Sequence, residues 1–339
     1  MKPVANLCSS RFSDAHGNWA IMYQHVCNAL NELGYTVRKS EFLEFPTAPD
    51  FVENGIIDRE EDIYFYNHRT KKEQKDSGLF QGAQSFFLKP TAPTHLHFTI
   101  DRWGYGPFSE ITYKRPNLEI VKGCKEFYES SVATWIEAKA NKWADRKDLA
   151  MQDLPVKVPE NHILFIGQMP GDTTVNSMSF GNHWEKFCAL VDEAKKGDLP
   201  IVVKVHPTLR SEILVGETPE DWAYYDRTLL RWEEEDNITV FSGRQSLHNI
   251  LPHTRVAVVE NSTSGIECLM HNVPIISYGY PEYHWVTYDL RHLPQISYAA
   301  EDLSWHNLEL CQKWLTWFCR DFQCYDHEST VRRLHTLLA

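Results

Sequence analysis

The stretch His162-Ile163-Leu164-Phe165-Ile166-Gly167-Gln168-Met169-Pro170-Gly171-Asp172 decides the fold. Residues 163–166 form a continuous apolar run, which is typical of a strand buried on both faces of a parallel sheet. The run stops at a Gly/Pro turn, and that turn carries an acidic residue. Ligands of α/β folds bind at the carboxyl ends of such strands. The stretch therefore predicts an α/β domain with a functional loop directly after this strand.

The same alternation of strand and helix patterns continues towards the end of the chain. Apolar runs rich in β-branched residues predict further parallel strands, and the segments between them predict helices that cover the sheet. The last segment, residues 302–338, has a helical pattern and is rich in tryptophan. Predicted strands lie at 162–166, 201–205, 238–241, 256–260 and 274–277, and predicted helices lie at 184–196 and 264–271.

The first part of the chain predicts a second α/β domain. A helical face of Ile21, His25, Ala29 and Leu33 predicts a helix over 20–33 that stops at Gly34. Further predicted elements are strands at 35–37, 63–66 and 95–100 and a helix at 126–145, while the charged segment 145–161, with two prolines, is the predicted linker.

These patterns together predict two doubly wound, Rossmann-like domains that face a cleft, followed by a C-terminal helical segment. We expect an N-terminal, acceptor-side domain at residues 1–150 and a C-terminal domain at residues 151–339, since a chain of 339 residues is long enough for about two domains. The cleft between the carboxyl ends of the two sheets is the expected ligand site.

Composition excludes several classes of protein. Lys and Arg total 34 against 46 Asp and Glu, a net charge of -12, so nucleic acid is a poor partner whereas a small anionic ligand needs only a few local cations. The longest apolar runs are far shorter than the roughly 18 residues of a membrane span, which leaves at most peripheral membrane association. The start of the chain lacks a signal-peptide core. Eight scattered cysteines without a C-x-x-C pair indicate reduced thiols, so we expect a cytoplasmic protein.

Two strand ends carry candidate reactive or charged residues. Asp172, in the Gly/Pro turn after the strand at 162–166, either presents its carboxylate to the cleft or only caps the next helix. In Lys204-Val205-His206-Pro207 the proline ends the strand, so Lys204 and His206 project to one side and both are able to face one anion. A histidine at this place is also often purely structural.

Two further loops follow strands of the same domain. In 260–267 (ENSTSGIE), hydroxyl residues and a glycine expose backbone N–H groups at a helix N-terminus suited to phosphate, and Glu267 is able to reach a ribose diol. The alternative is a capping box between Ser264 and Glu267, which leaves the preceding Asn261 and Ser262 unexplained. In 278–285 (YGYPEYHW), aromatic residues with His284 suit stacking on a base or sugar, or they pack the loop down.

The first domain offers fewer candidates. Its segment 101–110 contains a G-x-G, but the third glycine and the position after the first strand are missing, so a dinucleotide-binding fingerprint is not supported. His95 and His97 are able to share a strand face as metal ligands, but no third ligand stands nearby in the sequence. We expect no metal and no cofactor.

The motifs of the second domain, taken as a series, carry a family resemblance. Gln168-x-x-x-Asp172, Lys204-x-His206-Pro207, Ser264-Gly265-x-Glu267 and Gly279-x-Pro281-x-Tyr283-x-x-Trp285 resemble the capsule polysaccharide synthesis family of bacterial β-Kdo glycosyltransferases in order and spacing across 163–285. Residues 101–116 are similar to the family's acidic-Gly-aromatic-Arg/Pro segment, although Arg102-Trp103 departs from the family's small Gly-x turn.

The resemblance implies a GT-B fold and a function. It implies CMP-β-Kdo as the donor, a glycan or glycolipid as the acceptor, and retention of configuration through a covalent glycosyl-enzyme. Asp172 is then the nucleophile, and the acid/base group is Asp101 or Glu110 of the first domain. The implied nucleotide-sugar residues are Gln168, Lys204, His206, Pro207, Asn261, Ser262, Ser264, Gly265, Glu267, Tyr283 and His284.

Two alternatives remain open at this point. One is a GT-B transferase that uses CMP-sialic acid or a UDP-sugar, with a structural Asp172. The other is a non-catalytic polysaccharide-binding or assembly protein, for which the tryptophan-rich tail and the acidic surface are interaction features.

Overall fold

The structure, a computed structural model, describes residues 3–9, 17–41, 62–67, 84–142, 154–170, 172, 174–175, 182–206, 209, 219–290 and 295–339. Within these ranges, no helix combines the length and the apolar character that crossing a membrane requires. Half of the predicted linker, residues 145–153, lies outside the described residues, as do Gly171, Thr173 and Pro207.

The described elements alternate between strand and helix as the apolar periodicity predicts. The strands are β1 (Val4–Ser9), β2 (Thr36–Glu41), β3 (Ile63–Asn67), β4 (Gln84–Pro90), β5 (Phe98–Asp101), β6 (His162–Ile166), β7 (Ile201–Lys204), β8 (Ile238–Phe241), β9 (Thr254–Val259), β10 (Ile275–Ser277) and β11 (Tyr288–Asp289). The α-helices are α1 (Asn18–Glu32), α2 (Glu110–Tyr113), α3 (Cys124–Phe127), α4 (Ala133–Glu137), α5 (His183–Ala194), α6 (Pro219–Glu233), α7 (Ser264–Met270), α8 (Gln295–Glu301), α9 (Leu308–Thr316) and α10 (His327–Leu338), with π-helical turns at Tyr128–Val132 and Trp317–Phe322.

The chain divides into two compact units. The first unit takes its described residues from Met1–Pro116, Ala140–Lys147 and Thr316–Ala339, and the second takes them from Asn117–Lys139 and Asp148–Leu315. The predicted boundary at residue 150 differs from this division for residues 117–139 and for residues 316–339. Residues 117–139 belong to the second unit, where the Tyr128 hydroxyl donates to the Leu269 carbonyl at 3.0 Å.

The first unit is a five-stranded sheet in the order β2-β1-β3-β4-β5. Its first four strands are parallel, and β5 runs antiparallel to β4. Helix α1 buries Met22, Val26 and Leu30 against the sheet. The predicted strand at 95–100 begins only at Phe98, because His97 precedes it and its buried ring bonds to the Thr94 hydroxyl at 2.7 Å.

The C-terminal helical segment completes the first unit rather than the second, to which the sequence assigned it. Phe98 and Cys324 exchange two backbone hydrogen bonds, of 2.8 and 2.9 Å. Leu334 and Leu337 of α10 are buried in the same apolar core as α1. These contacts join distant parts of the chain, so they are not predictable from the local helical pattern of the segment.

The second unit is a six-stranded parallel sheet in the order β11-β10-β9-β6-β7-β8. The central strand β6 pairs on one side with β9, where Leu164 faces Ala257, and on the other side with β7, where Leu164 faces Val202. The chain thus moves outwards in both directions from β6, which places the topological switch point between β6 and β9. The predicted strands at 162–166 and 238–241 have these bounds in the structure.

Candidate functional site

The loops that follow β6 and β9 lie on either side of the switch point of the second unit. The Asn261 backbone N–H donates to the side-chain oxygen of Gln168 at 2.7 Å. Both residues are buried. The Gln168 amide therefore holds the loop after β6 in contact with the loop after β9, at the place where doubly wound sheets bind ligands.

Asn261 joins a third loop to these two. Its side-chain N–H donates to the Thr174 carbonyl at 3.3 Å, and its side-chain oxygen accepts from the Tyr280 backbone N–H at 2.8 Å. Only 3% of Asn261 is exposed, and a Cβ added to Gly279 would lie 2.5 Å from its side-chain oxygen. Asn261 is thus the connector of the loops after β6, β9 and β10, a packing role that its sequence motif did not predict.

Asp172 combines the two behaviours that its sequence context left open. Its Oδ1 accepts from the Thr174 backbone N–H at 2.7 Å and from the Thr174 hydroxyl at 2.5 Å, which is the capping arrangement. The residue is nevertheless exposed, so the carboxylate is accessible at the carboxyl edge of the sheet. Capping fixes the orientation of the carboxylate without burying it.

Lys204 lies at the end of β7 with a buried side chain. Its ammonium donates to the Val205 carbonyl at 2.9 Å and to the Gly243 carbonyl at 2.8 Å. Burial lowers the pKa of Lys204 to about 8, and the nearby Glu267 carboxylate opposes that shift. Two of the three N–H donors of Lys204 thus bind backbone carbonyls. His206, two residues further along the chain, is half-buried.

The loop before α7 uses its hydroxyl residues differently from either prediction. The Ser264 N–H donates to the Ser262 hydroxyl at 3.2 Å, and the Gly265 N–H donates to the Ser262 carbonyl at 3.1 Å. These N–H groups, which we expected to face a phosphate, already bond within the loop. The capping box between Ser264 and Glu267 is not formed either, since Thr263 is the N-cap residue. The residues Ser262, Ser264 and Glu267 are half-buried.

Tyr283 explains the glycine in this loop. A Cβ added to Gly265 would lie 2.1 Å from the Tyr283 hydroxyl, so only glycine fits beneath the ring. Tyr283 is fully buried, and its hydroxyl donates to the Ser262 carbonyl. Tyr283 and Gly265 therefore have a packing role that shapes the loop, and their contact with a ligand stays a prediction.

The other aromatic residues of the loop after β10 are more accessible. Tyr280 is 44% exposed, and its ring lies edge-on to the ring of His284 at 6.1 Å. The His284 ring lies tilted against the ring of Trp285, with centroids 4.1 Å apart and 39° between the ring planes, and its Nδ1 bonds to the Pro281 carbonyl at 2.9 Å. Burial lowers the pKa of His284, which favours the neutral form of this ring.

A buried His–Glu pair beside the switch point was not predicted from the sequence. His183, the first residue of α5, binds through Nδ1 to the carboxylate of Glu260, which directly precedes Asn261. Both side chains are buried, and His183 Nε2 has no partner among the described residues. The residues are 77 positions apart, and no local pattern links them.

The two acid/base candidates of the first unit differ in accessibility. Asp101 is fully buried and accepts from four donors, at 2.5 to 3.2 Å: the backbone N–H groups of Trp103, Gly104 and Glu110 and the Ser109 hydroxyl. Burial raises the pKa of Asp101, and these hydrogen bonds oppose the rise. The Glu110 side chain is 31% exposed and lies 3.3 Å from an Arg333 nitrogen. Accessibility thus favours Glu110.

A family model matches the part of the chain that contains these loops. The model of the family described as "Capsule polysaccharide biosynthesis protein" matches residues 119–297, which include all the loops described for the second unit. None of the curated protein sequences matches the chain significantly.

Two solved structures from Thermosulfurimonas dismutans share the fold. The KpsC β-Kdo 2,7 transferase is 16% identical, with a TM-score of 0.52 over 98% of this chain and 100% of the other. The KpsC β-Kdo 2,4 transferase is 15% identical, with a TM-score of 0.55 over 100% of this chain and 99% of the other. The predicted GT-B-like class, two α/β units with largely parallel sheets and a C-terminal helical segment, is confirmed.

Proposed function

Since the chain belongs to the capsule polysaccharide biosynthesis protein family, we propose that it is a glycosyltransferase that moves Kdo from CMP-β-Kdo to a glycan or glycolipid acceptor with retention of configuration. The observation that carries this proposal is the 2.7 Å hydrogen bond between Gln168 and Asn261. It holds the loop of the exposed Asp172 carboxylate beside the hydroxyl-rich loop before α7. An exposed carboxylate and hydroxyl groups at one switch point suit this reaction.

The proposed chemistry has two displacements at the same carbon. One carboxylate oxygen of Asp172 bonds to the anomeric carbon of Kdo, while the bond from that carbon to the CMP phosphate breaks and CMP leaves with the electron pair. The acceptor hydroxyl then attacks the carbon, gives its proton to a general base, and displaces the Asp172 carboxylate. Two inversions restore the starting configuration. Asp172 suits the first step because capping by Thr174 occupies Oδ1 and orients the group.

The proposed nucleotide contacts are candidate residues that are half-buried rather than fully buried. His206 and the hydroxyls of Ser262 and Ser264 are half-buried donors, and Glu267 is a half-buried acceptor for a ribose diol. Lys204 contributes positive charge near Glu267. Its ammonium is held in place by hydrogen bonds to two backbone carbonyls. Of the acid/base candidates, Glu110 is proposed over Asp101 because the latter has no exposed surface.

Nucleotide release from different donors tests the proposal. Purified protein is incubated with CMP-Kdo, CMP-sialic acid or a UDP-sugar, and free nucleotide is measured with and without EDTA. Of the three donors, we expect only CMP-Kdo to release its nucleotide, and EDTA should not reduce this release. Asp172→Asn should abolish the release, whereas the exposed control variant Asp198→Asn should retain it. Release from another donor would identify a different transferase. Tight CMP binding without release from any donor would favour a non-catalytic binding protein.

A further inference from the structure

Two large aromatic side chains of the first unit are exposed side by side. Trp103 is 48% exposed and Tyr113 is 56% exposed. Their ring centroids are 5.7 Å apart, with 32° between the ring planes. Large aromatic residues are usually packed in the core, so a neighbouring exposed pair marks a contact surface.

The backbone beneath both rings is fixed by one buried carboxylate. Asp101 accepts from the Trp103 N–H at 2.7 Å and from the Glu110 N–H at 3.1 Å, and Glu110 begins the short helix α2 that ends at Tyr113. The Ser109 hydroxyl also donates to this carboxylate, at 2.5 Å. Both rings are therefore held on a preorganised loop, so that little conformational entropy remains to be lost on binding.

The charged residues that neighbour the two rings in the sequence are mainly positive, in contrast to the whole chain. Arg102, Lys114 and Arg115 are exposed, whereas Glu110 is the one partly exposed acid among residues 102–115 and lies beside Arg333. Arg102 is anchored, because it donates to the Leu337 carbonyl at 2.5 Å. In a chain with a net charge of -12, this surface selects an anionic partner.

We propose that Trp103 and Tyr113 form a stacking platform for an acidic sugar, a residue of the acceptor glycan that carries a carboxylate. The negative faces of the two rings attract the C–H bonds of a pyranose, and the flanking cations attract its carboxylate. Two rings match one monosaccharide, whereas a stable protein interface buries about 800 Å² on each partner. The assignment to an acceptor rests on the proposed glycosyltransferase function, but the binding itself does not.

Direct binding of a defined sugar pair tests the platform. The probes are the methyl glycoside of Kdo and its neutral carboxyl methyl ester, and saturation-transfer NMR on the full chain measures their binding. We expect binding of the acid, at least about tenfold weaker binding of the ester, and a similar loss in Trp103→Ala and Tyr113→Ala. Lys114→Ala should weaken the acid and leave the ester unchanged. Tyr298→Ala, which removes an exposed aromatic ring of the second unit, is the matched control.

Each result decides for or against the platform. Equal binding of acid and ester, no binding of either, or binding by a Trp103→Ala/Tyr113→Ala double variant at wild-type strength overturns it. Thermal unfolding verifies that each variant is folded. Nucleotide release from CMP-Kdo by the wild-type protein is measured separately. Sugar binding with the expected pattern but without nucleotide release would disprove the proposed function and leave the platform intact.

Discussion

The imidazole of His183 is bonded to the Glu260 carboxylate, and both side chains are buried next to the loop that Asn261 organises. Removing one side chain breaks a buried contact of the other, and breaking a buried pair in this way typically costs about 3–5 kcal/mol. We therefore expect His183→Ala and Glu260→Ala each to lower the free energy of unfolding by roughly this amount. Urea denaturation of both single variants and the double variant measures it.

The double variant is the internal control for that prediction. Because each single substitution already breaks the pair, the double substitution should cost clearly less than the sum of the two. Additive losses would mean that the two side chains do not stabilise each other.

Asp172 is expected to form a covalent adduct with Kdo. Exposure to CMP-Kdo without acceptor should add the mass of one Kdo residue to the peptide that contains Asp172, as measured by mass spectrometry. Asp172→Ala should lack the adduct and turn over several orders of magnitude more slowly, with nearly unchanged affinity for CMP, because a nucleophile acts in the chemical step. Its lost cap to Thr174 should cost only about 1 kcal/mol of stability. Near-normal turnover of Asp172→Ala would reduce the residue to a helix cap.

Gly265→Ala is expected to be strongly destabilising. The new Cβ would lie 2.1 Å from the Tyr283 phenol, a contact with a fully buried ring, and overpacking of this kind costs about 1–3 kcal/mol or more. Gly197→Ala is the matched control, because its Cβ would meet neighbours at 3.3 Å or beyond. Tyr283→Ala in the Gly265→Ala background should recover part of the loss in a thermal unfolding assay. A Gly265→Ala protein as stable as wild type would show that the ring is free to move.

Lys204 is expected to make stability depend on pH in the alkaline range. Its pKa is about 8 in the folded chain against 10.5 as the ordinary value, so between these pH values the unfolded chain binds more protons than the folded one. The free energy of unfolding then rises with pH in this window. Measured as the difference from Lys204→Met, which cancels other titrating groups, the rise should be visible in urea unfolding at pH 7.5 and pH 10. A pH-independent difference would place Lys204 in a more polar environment.

His206→Ala is expected to weaken the binding of CMP. A hydrogen bond from this half-buried ring to the phosphate contributes about 1–3 kcal/mol, which corresponds to roughly a five- to 150-fold change in Kd. Isothermal titration calorimetry with CMP measures the change, and His253→Ala is the control, because His253 pairs with Glu160. Unchanged affinity would remove His206 from the nucleotide site.

Five of the six described strands of the second unit were predictable from sequence because they are short apolar runs with clear ends, whereas β11 at Tyr288–Asp289 was missed. Strand β4 was missed in the first unit, since its residues Gln84, Ser85 and Lys89 interrupt the apolar pattern. The strand at 95–100 was predicted too long for the opposite reason. The alternation of His95 and His97 resembles a half-buried strand, but these residues lie in the turn before β5.

The positions of the site motifs were predictable, but their internal bonding was not. Strand ends locate Asp172, Lys204 and Asn261 at one edge of a sheet. Which of them faces solvent depends on side-chain contacts over long sequence distances, such as the burial of Tyr283 against Gly265. Composition and spacing carry no record of those contacts. The same limit applies to the assignment of α10 to the first unit.

The contact between Phe98 and Cys324 also affects the order in which the two units are able to fold during synthesis on the ribosome. The described strands of the first unit emerge early, but its apolar core lacks Leu334 and Leu337 until the chain has been translated beyond residue 337. The second unit lies between these parts of the chain and is available to fold while the first still waits. The nascent first unit therefore exposes apolar surface during most of translation, a state in which proteins are prone to aggregate.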